Sequence, residues 1–150
     1  MAFKVKYRTR NKLQRAIQQE VRKLGLVDTG ALENSIRISA TTADLNQIDI
    51  VVNALYYYYF QDNGADLWNG GFISPQNITQ KALNSPKGVQ FLDETIQAYT
   101  EYLMNDERLK ILDVGSIDIT PQIRIEYNLF GDDSGKWNGI YEEYIKVFPQ

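Results

Sequence analysis

The apolar residues change their period along the chain, and that change limits the folds open to it. Over residues 12–24, Leu13, Ala16, Ile17, Val21 and Leu24 form one stripe at helical spacing, with Arg15, Gln18, Gln19 and Arg22 off it. Gly25 is a natural stop. The period then falls to two. Ile36, Ile38 and Ala40 alternate with Arg37, Ser39 and Thr41, and Ile48, Ile50 and Val52 alternate with Asp49, Val51 and Asn53. A turn over 42–47 makes the pair a β-hairpin with each strand half buried. Ser74-Pro75 opens a helix that runs to about Leu83, the serine as cap and the proline in the first turn. Asn84 to Gly88 breaks it, and Phe91, Leu92, Thr95, Ile96, Tyr99, Tyr102 and Leu103 predict a second helix over about 89–104. Alternation returns at Ile117, Ile119, Ile123, Ile125 and Tyr127, where Pro121 implies an edge strand or two short strands. Residues 140–148 fit either a helix or a terminal strand. Together these predict a single α+β domain, an antiparallel sheet packed against two or three helices. A chain of 150 residues is long enough to bury a core without staples.

Three sections are expected: a basic strand or arm over 1–11, a core over 12–104, and a β-containing extension over 105–150. Phe3, Val5 and Tyr7 alternate with Lys4, Lys6 and Arg8, which is a strand or an arm that orders against a partner. Residues 1–25 hold eight basic side chains and one acid, whereas the rest of the chain holds eight basic and eighteen acidic ones. A basic arm on an acidic body binds nucleic acid through residues 4–23, or the acidic body of a neighbouring copy. The candidate contact residues on the arm are Lys4, Lys6, Arg8 and Arg10. Tyrosine is the compositional outlier, with ten copies, four of them consecutive from Tyr56 to Tyr59. Its apolar ring and polar tip suit surfaces that become buried between subunits. Tyr57, Tyr59, Asp62 and the loop residue Trp68 complete the expected contact set. The stretch from Ala54 to Phe60 reads as a strand or a single helical turn, and Gly64 as a positive-φ position in the loop after it.

Catalytic chemistry finds little purchase. Without cysteine or histidine there are no disulfides, no thiolate or imidazole metal ligands, and no serine–histidine triad. Asp132, Ser134 and Glu143 fall at the first, third and twelfth positions of a calcium loop. Lys136 and Trp137 stand at the fifth and sixth, where a ligand and a turn glycine belong. No phosphate-cradling glycine motif is present. Asp62 with Asp66, or Asp93 with Glu94, has no spacing that separates an acid from a base. The expectation is a non-enzyme with no cofactor and no metal. The longest apolar run is seven residues, Ala54 to Phe60, far short of a membrane helix, and the charged N-terminus has no signal-peptide core. No membrane partner is expected, and the chain should stay in the cytoplasm where it is made.

Two phrases stand out together. Val27-Asp28-Thr29-Gly30-Ala31-Leu32-Glu33-Asn34-Ser35-Ile36 follows the amphipathic helix. Asp28 or Thr29 can accept from the amides of a new helical turn, and Leu32 and Ile36 would anchor that turn on the core. Gly30 is expected at positive φ or against a close backbone. The phrase resembles the "V-D-T-G-x-L-x-x-S-I" opening of the head–tail joining and tail-completion proteins of long-tailed phages. In that family a hairpin follows, then "Y-A-x-x-x-E-x-G-T". Here Tyr57, Asp62 and Gly64 match, while Tyr58 replaces the alanine and Ala65 the threonine. Gly88 to Thr95 is a looser counterpart of the family's "P-F-L-x-x-A". The similarity covers about residues 12–104. It implies a structural virion protein of the neck or tail end, a ring component between the portal side and the tail tube. The implied partners are further copies of itself, other neck, portal-adaptor or tail-tube proteins, and DNA in the channel. A sixfold ring is implied by the resemblance alone.

Overall fold

The computed structural model describes residues 3–25, 29–44, 47–66, 70–105 and 122–145. Helix α1 (Tyr7–Lys23) follows the first stripe, burying Leu13, Ala16, Ile17 and Val21. It begins five residues before the stripe does, so the N-terminal alternation survives as strand only in β1 (Phe3–Lys4). Lys6 is extended, and its carbonyl receives the amides of Thr9 and Arg10. The Tyr7 ring stays in solvent, so nothing rewards continuing the strand past Val5. Gly25 stops α1 at φ 63°, as the sequence predicts.

Helix α2 (Thr29–Ser35) carries the first phrase into β2 (Arg37–Asp44), and Leu32 and Ile36 are fully buried as expected. The expectation for Gly30 is overturned. It lies inside α2 without a positive φ, and a Cβ there would meet nothing. The corner is held instead by the two buried side chains and by Gln18 Nε2 donating to the Glu33 carbonyl at 3.1 Å. Asp28 lies outside the described residues, and Thr29 is the first residue of α2.

Strand β3 (Gln47–Leu55) pairs antiparallel with β2, from Arg37↔Asn53 to Thr41↔Asp49, completing the predicted hairpin. The aromatic stretch that follows is helical, α3 (Tyr57–Asn63), because Tyr58 and Asp62, four apart, are buried on one face. A two-stranded ribbon, β4 (Ala65–Asp66) and β5 (Phe72–Ile73), leads to α4 (Ile78–Asn84). That helix starts three residues beyond Pro75, after Asn77 in the left-handed region at φ 51°. The serine–proline signal works one helix later. Ser85 caps α5 (Pro86–Met104), accepting from the Gly88 amide at 3.2 Å, with Pro86 in the first turn. The apparent helix break at 84–88 is therefore a helix start.

Strands β6 (Gln122–Phe130) and β7 (Gly139–Ile145) complete a five-stranded sheet in the order β1-β2-β3-β6-β7. The fold is α+β as predicted, but the sheet is mixed: β3 and β6 run parallel over nine residue pairs, Gln47↔Gln122 to Leu55↔Phe130. Parallel neighbours need a crossover connection, and α4 and α5 lie within it. The described strands of the section over 105–150 belong to the same sheet as the core: β6 stands between β3 and β7 and buries Ile123, Ile125, Tyr127 and Leu129 in the common core. From Phe3 on, the N-terminal section is packed on the body. Val5 is buried, and Phe3 lies against the rings of Tyr99 and Tyr102 at 5.6 and 5.2 Å. Ile117, Ile119 and Pro121 lie outside the described residues.

One sheet face is the core. Ile48, Ile50, Val52 and Ala54 of β3 alternate inward and join α1, α4 and α5. The other face is polar, with Asn128 Nδ2 donating to Asn53 Oδ1 at 2.8 Å and Arg124 paired to Glu126 and Glu142. No helix among the described residues is long and apolar enough to cross a membrane.

Candidate functional site

The expected contact residues fall into two groups. Four successive aromatic residues on a helix cannot share one face, so α3 distributes them. Tyr58 turns fully inward, while Tyr57, Tyr59 and Phe60 stay half buried along the rim of the sheet. Around them lies a chain of edge-to-face and tilted ring contacts. Tyr56 meets Tyr57 at 5.4 Å, Tyr59 meets Tyr127 at 5.0 Å and Tyr141 at 5.1 Å, and Phe60 meets Trp137 at 5.0 Å. Such pairs stabilise by about 0.5–1.5 kcal/mol each beyond the area they bury. Trp137 ends the series at 39 % exposure, with Lys136 Nζ 5.0 Å from its ring centre. Trp68 lies outside the described residues.

Asp62 is not a surface contact. It is 3 % exposed, and its carboxyl group is turned inward. Oδ1 accepts the Thr79 amide at 3.1 Å, and Oδ2 accepts the Thr79 hydroxyl at 2.6 Å and the Tyr127 hydroxyl at 2.7 Å. With its proton committed to Asp62, the Thr79 hydroxyl is left to accept from Tyr58, 2.7 Å away. Thr79 is in the first turn of α4, whose cap residue Asn77 makes no side-chain capping bond. Asp62 supplies that acceptor from α3 and ties α4 and β6 to it. The acid that matches the family phrase thus has a structural role in the core. Periodicity hid this, because a buried acid on a helix reads as a surface one.

Burial first, then the charge at Asp62 and Tyr127, pushes the Tyr58 hydroxyl well above its ordinary value of 10.0. The folded value is raised. The stability it contributes is therefore complete below the unfolded value and is lost as pH climbs past it, where only the unfolded chain ionises. Urea midpoints between about pH 8 and about pH 11 should fall, and fall less steeply in Tyr58→Phe. Parallel curves for the two proteins would remove Tyr58 as the cause.

Three of the six basic side chains on α1 have carboxylate partners, while Arg8, Arg10 and Arg15 meet none among the described residues. Lys12 pairs with Glu94, Arg22 with Glu33, and Lys23 with Glu20 at 3.2 Å. Hydrogen bonding and charge from Glu33 raise the Arg22 guanidinium further above its ordinary value. Lys4, Lys6 and Arg8 are exposed. Arg10 is half buried, with Nη1 donating to the Ile38 carbonyl at 3.2 Å and its guanidinium 5.2 Å from the Tyr7 ring centre. It lines a groove of about 550 Å³ between α1 and the α2–β2 corner, with Arg37 on the opposite wall. Sequence reasoning missed Arg37, because one arginine on an alternating strand carries no signal until the helix facing it is known. It also passed over Trp137, noted only as a misfit in a calcium loop. Asp132 does organise that turn, accepting from Ser134 Oγ at 2.7 Å, Trp137 N at 2.9 Å and Ser134 N at 3.2 Å. These bonds, the Ser134 hydroxyl foremost, hold its carboxyl below the usual carboxylate range.

Compared with protein-family models, with curated proteins and with solved structures, the chain finds no match. The phage resemblance therefore rests on the sequence phrases themselves.

Proposed function

We propose that this chain is a structural protein of the neck or tail end of a long-tailed phage particle, one subunit of a ring between the portal side and the tail tube, with no catalytic role. The observation that carries the reading is the half-buried aromatic rim formed by Tyr57, Tyr59, Phe60 and Trp137. It is built on the helix that bears the second family phrase and lies beside the hairpin that follows the first. Aromatic rings left half covered on a rim are the material of subunit contacts. The neighbours are further copies and other neck, portal-adaptor or tail-tube proteins. The rival reading, nucleic-acid binding through residues 4–23, loses Lys12, Arg22 and Lys23 to carboxylate partners. It keeps Lys4, Lys6, Arg8, Arg10 and Arg15, but the rest of the chain is strongly acidic and offers no continuing basic track.

The expected result is closed rings in electron micrographs of the concentrated protein, and the chain itself in purified particles of the phage that encodes it. Exposed charge pairs orient subunits but add little affinity and weaken with salt. Sedimentation should therefore show smaller species at high salt than at low salt. Absence of the chain from purified particles would refute the virion role.

A further inference from the structure

Two arginines face one groove, and among the described residues neither meets a carboxylate. Arg10 Nη1 and Arg37 Nη1 donate only to backbone carbonyls, Arg10 to Ile38 and Arg37 to Asn34 and Ile36. Arg10 Nε is enclosed without an acceptor. By contrast, Arg22 and Arg124 are paired with glutamates. The groove wall is otherwise neutral, with the amides of Gln14, Gln18 and Asn34 and the ring of Tyr7, which is 66 % exposed. Two guanidiniums, an exposed aromatic ring and amide groups suit a single carboxylate beside an aromatic side chain. They suit a long polyanion less well, since that needs a continuing basic track.

The turn between β6 and β7 has the complementary chemistry. It is fixed internally by the Asp132 bonds and by Asn138, whose Oδ1 accepts the Asp132 amide at 2.9 Å and whose Nδ2 donates to the Asp132 carbonyl at 3.2 Å. Asp133 is left exposed with no basic partner among the described residues, and Trp137 stands part-exposed close by. A rigid turn that offers a carboxylate and an indole loses little entropy on docking. The register fixes where the two features lie. Arg37 is opposite Asn53, Asn53 opposite Asn128, and Asn128 opposite Ile140. Groove and turn therefore share one end of the sheet, about three strand spacings or ~14 Å apart across it. A groove on one copy that takes the turn of the next makes a heterologous contact, which closes into a ring when its rotation allows.

We propose that the groove between Arg10 and Arg37 receives the 131–138 turn of a second copy of this chain, with Asp133 between the guanidiniums and Trp137 against Tyr7. This rests on the ring reading above and names its contact.

The chain has no cysteine, so introduced thiols report the contact directly. Asn34→Cys and Lys136→Cys placed together, which leave Asp133 and both arginines intact, should, on oxidation of the concentrated protein, give a ladder of cross-linked species that ends at the ring's copy number. Each change alone should give monomers, and the two single variants mixed should give dimers only. Arg10→Glu with Arg37→Glu should reduce association at least tenfold, and so should Asp133→Arg. Mixing those two charge-reversed proteins should restore pairing. Melting curves for all variants identify any that fail to fold, and the cysteine pair, on exposed positions, carries the test independently of the arginines. A double-cysteine protein that stays monomeric on oxidation overturns the proposal. So do single variants that cross-link with themselves, or a groove that captures a short DNA duplex in an Arg10- and Arg37-dependent way without any cross-link. None of these touches the virion role, which is decided separately by presence in particles. Absence from particles together with an intact ladder would remove the neck reading and leave the contact standing.

Discussion

Asp62→Ala should destabilise the protein by about 3–5 kcal/mol, against a typical total of roughly 5–15 kcal/mol for a domain. The truncation removes one acceptor group and strands three donors: the Thr79 amide, the Thr79 hydroxyl and the Tyr127 hydroxyl. Asp62, Thr79 and Tyr127 are all buried, so water does not readily replace the lost acceptor. An unsatisfied buried donor costs about 1–3 kcal/mol, and three in one network do not add independently. Asp62→Asn keeps the shape but offers one acceptor oxygen and an amide donor where two hydroxyl donors converge. It should lose less, about 1–3 kcal/mol. Tyr127→Phe removes one of the stranded donors, so combining it with Asp62→Ala should cost less than the sum of the two single changes. Urea unfolding of the four proteins is the measurement. A fully additive cycle would show that Tyr127 and Asp62 do not act through their hydrogen bond.

What the sequence disclosed and what it concealed divide along physical lines. Strict periods were legible: the Leu13–Val21 stripe, the 36–53 hairpin and the long fifth helix stand where they were expected. A period reports only which side of an element is apolar, so it cannot say which strand lies next to which. Nothing local to Ile123 or Ile125 distinguishes an edge strand from one parallel to β3, and the last third therefore read as an addition. Caps were legible but ambiguous. Ser74-Pro75 and Ser85-Pro86 carry the same signal, and only the second opens a helix, because Pro75 sits instead against Gly64, whose φ of 78° and tight fit beside the Ile73 carbonyl hold the ribbon. Of the expected contact set, the basic arm and the tyrosines were visible from composition. Asp62 was misplaced because its partners, Thr79 and Tyr127, come from other elements. The Arg10–Arg37 groove was invisible for the same reason. Tertiary juxtaposition leaves no trace in a single sequence.

Two helical glycines given the same substitution should move in opposite directions. Gly30→Ala adds a methyl group to open space in α2. Intrinsic propensity alone applies, so the change should stabilise by up to about 1 kcal/mol. Gly88→Ala gains the same propensity in α5 but puts its Cβ 2.0 Å from the Ala82 carbonyl oxygen and 2.7 Å from the backbone of Leu83. Those are backbone atoms of α4, not the end of a flexible side chain, and α4 is itself tied down through Thr79 to Asp62. Relief requires the two helices to separate at the point where Ser85 joins them, pulling Leu83 and Phe91, both fully buried, out of register with the core. Overpacking of this kind costs about 1–3 kcal/mol, occasionally more, and immovable backbone places it at the upper end. The net expectation for Gly88→Ala is a loss of about 2–3 kcal/mol despite the propensity gain. Thermal melts of the two single variants decide it. A Gly88→Ala protein as stable as Gly30→Ala would mean that α4 and α5 do not meet at this glycine.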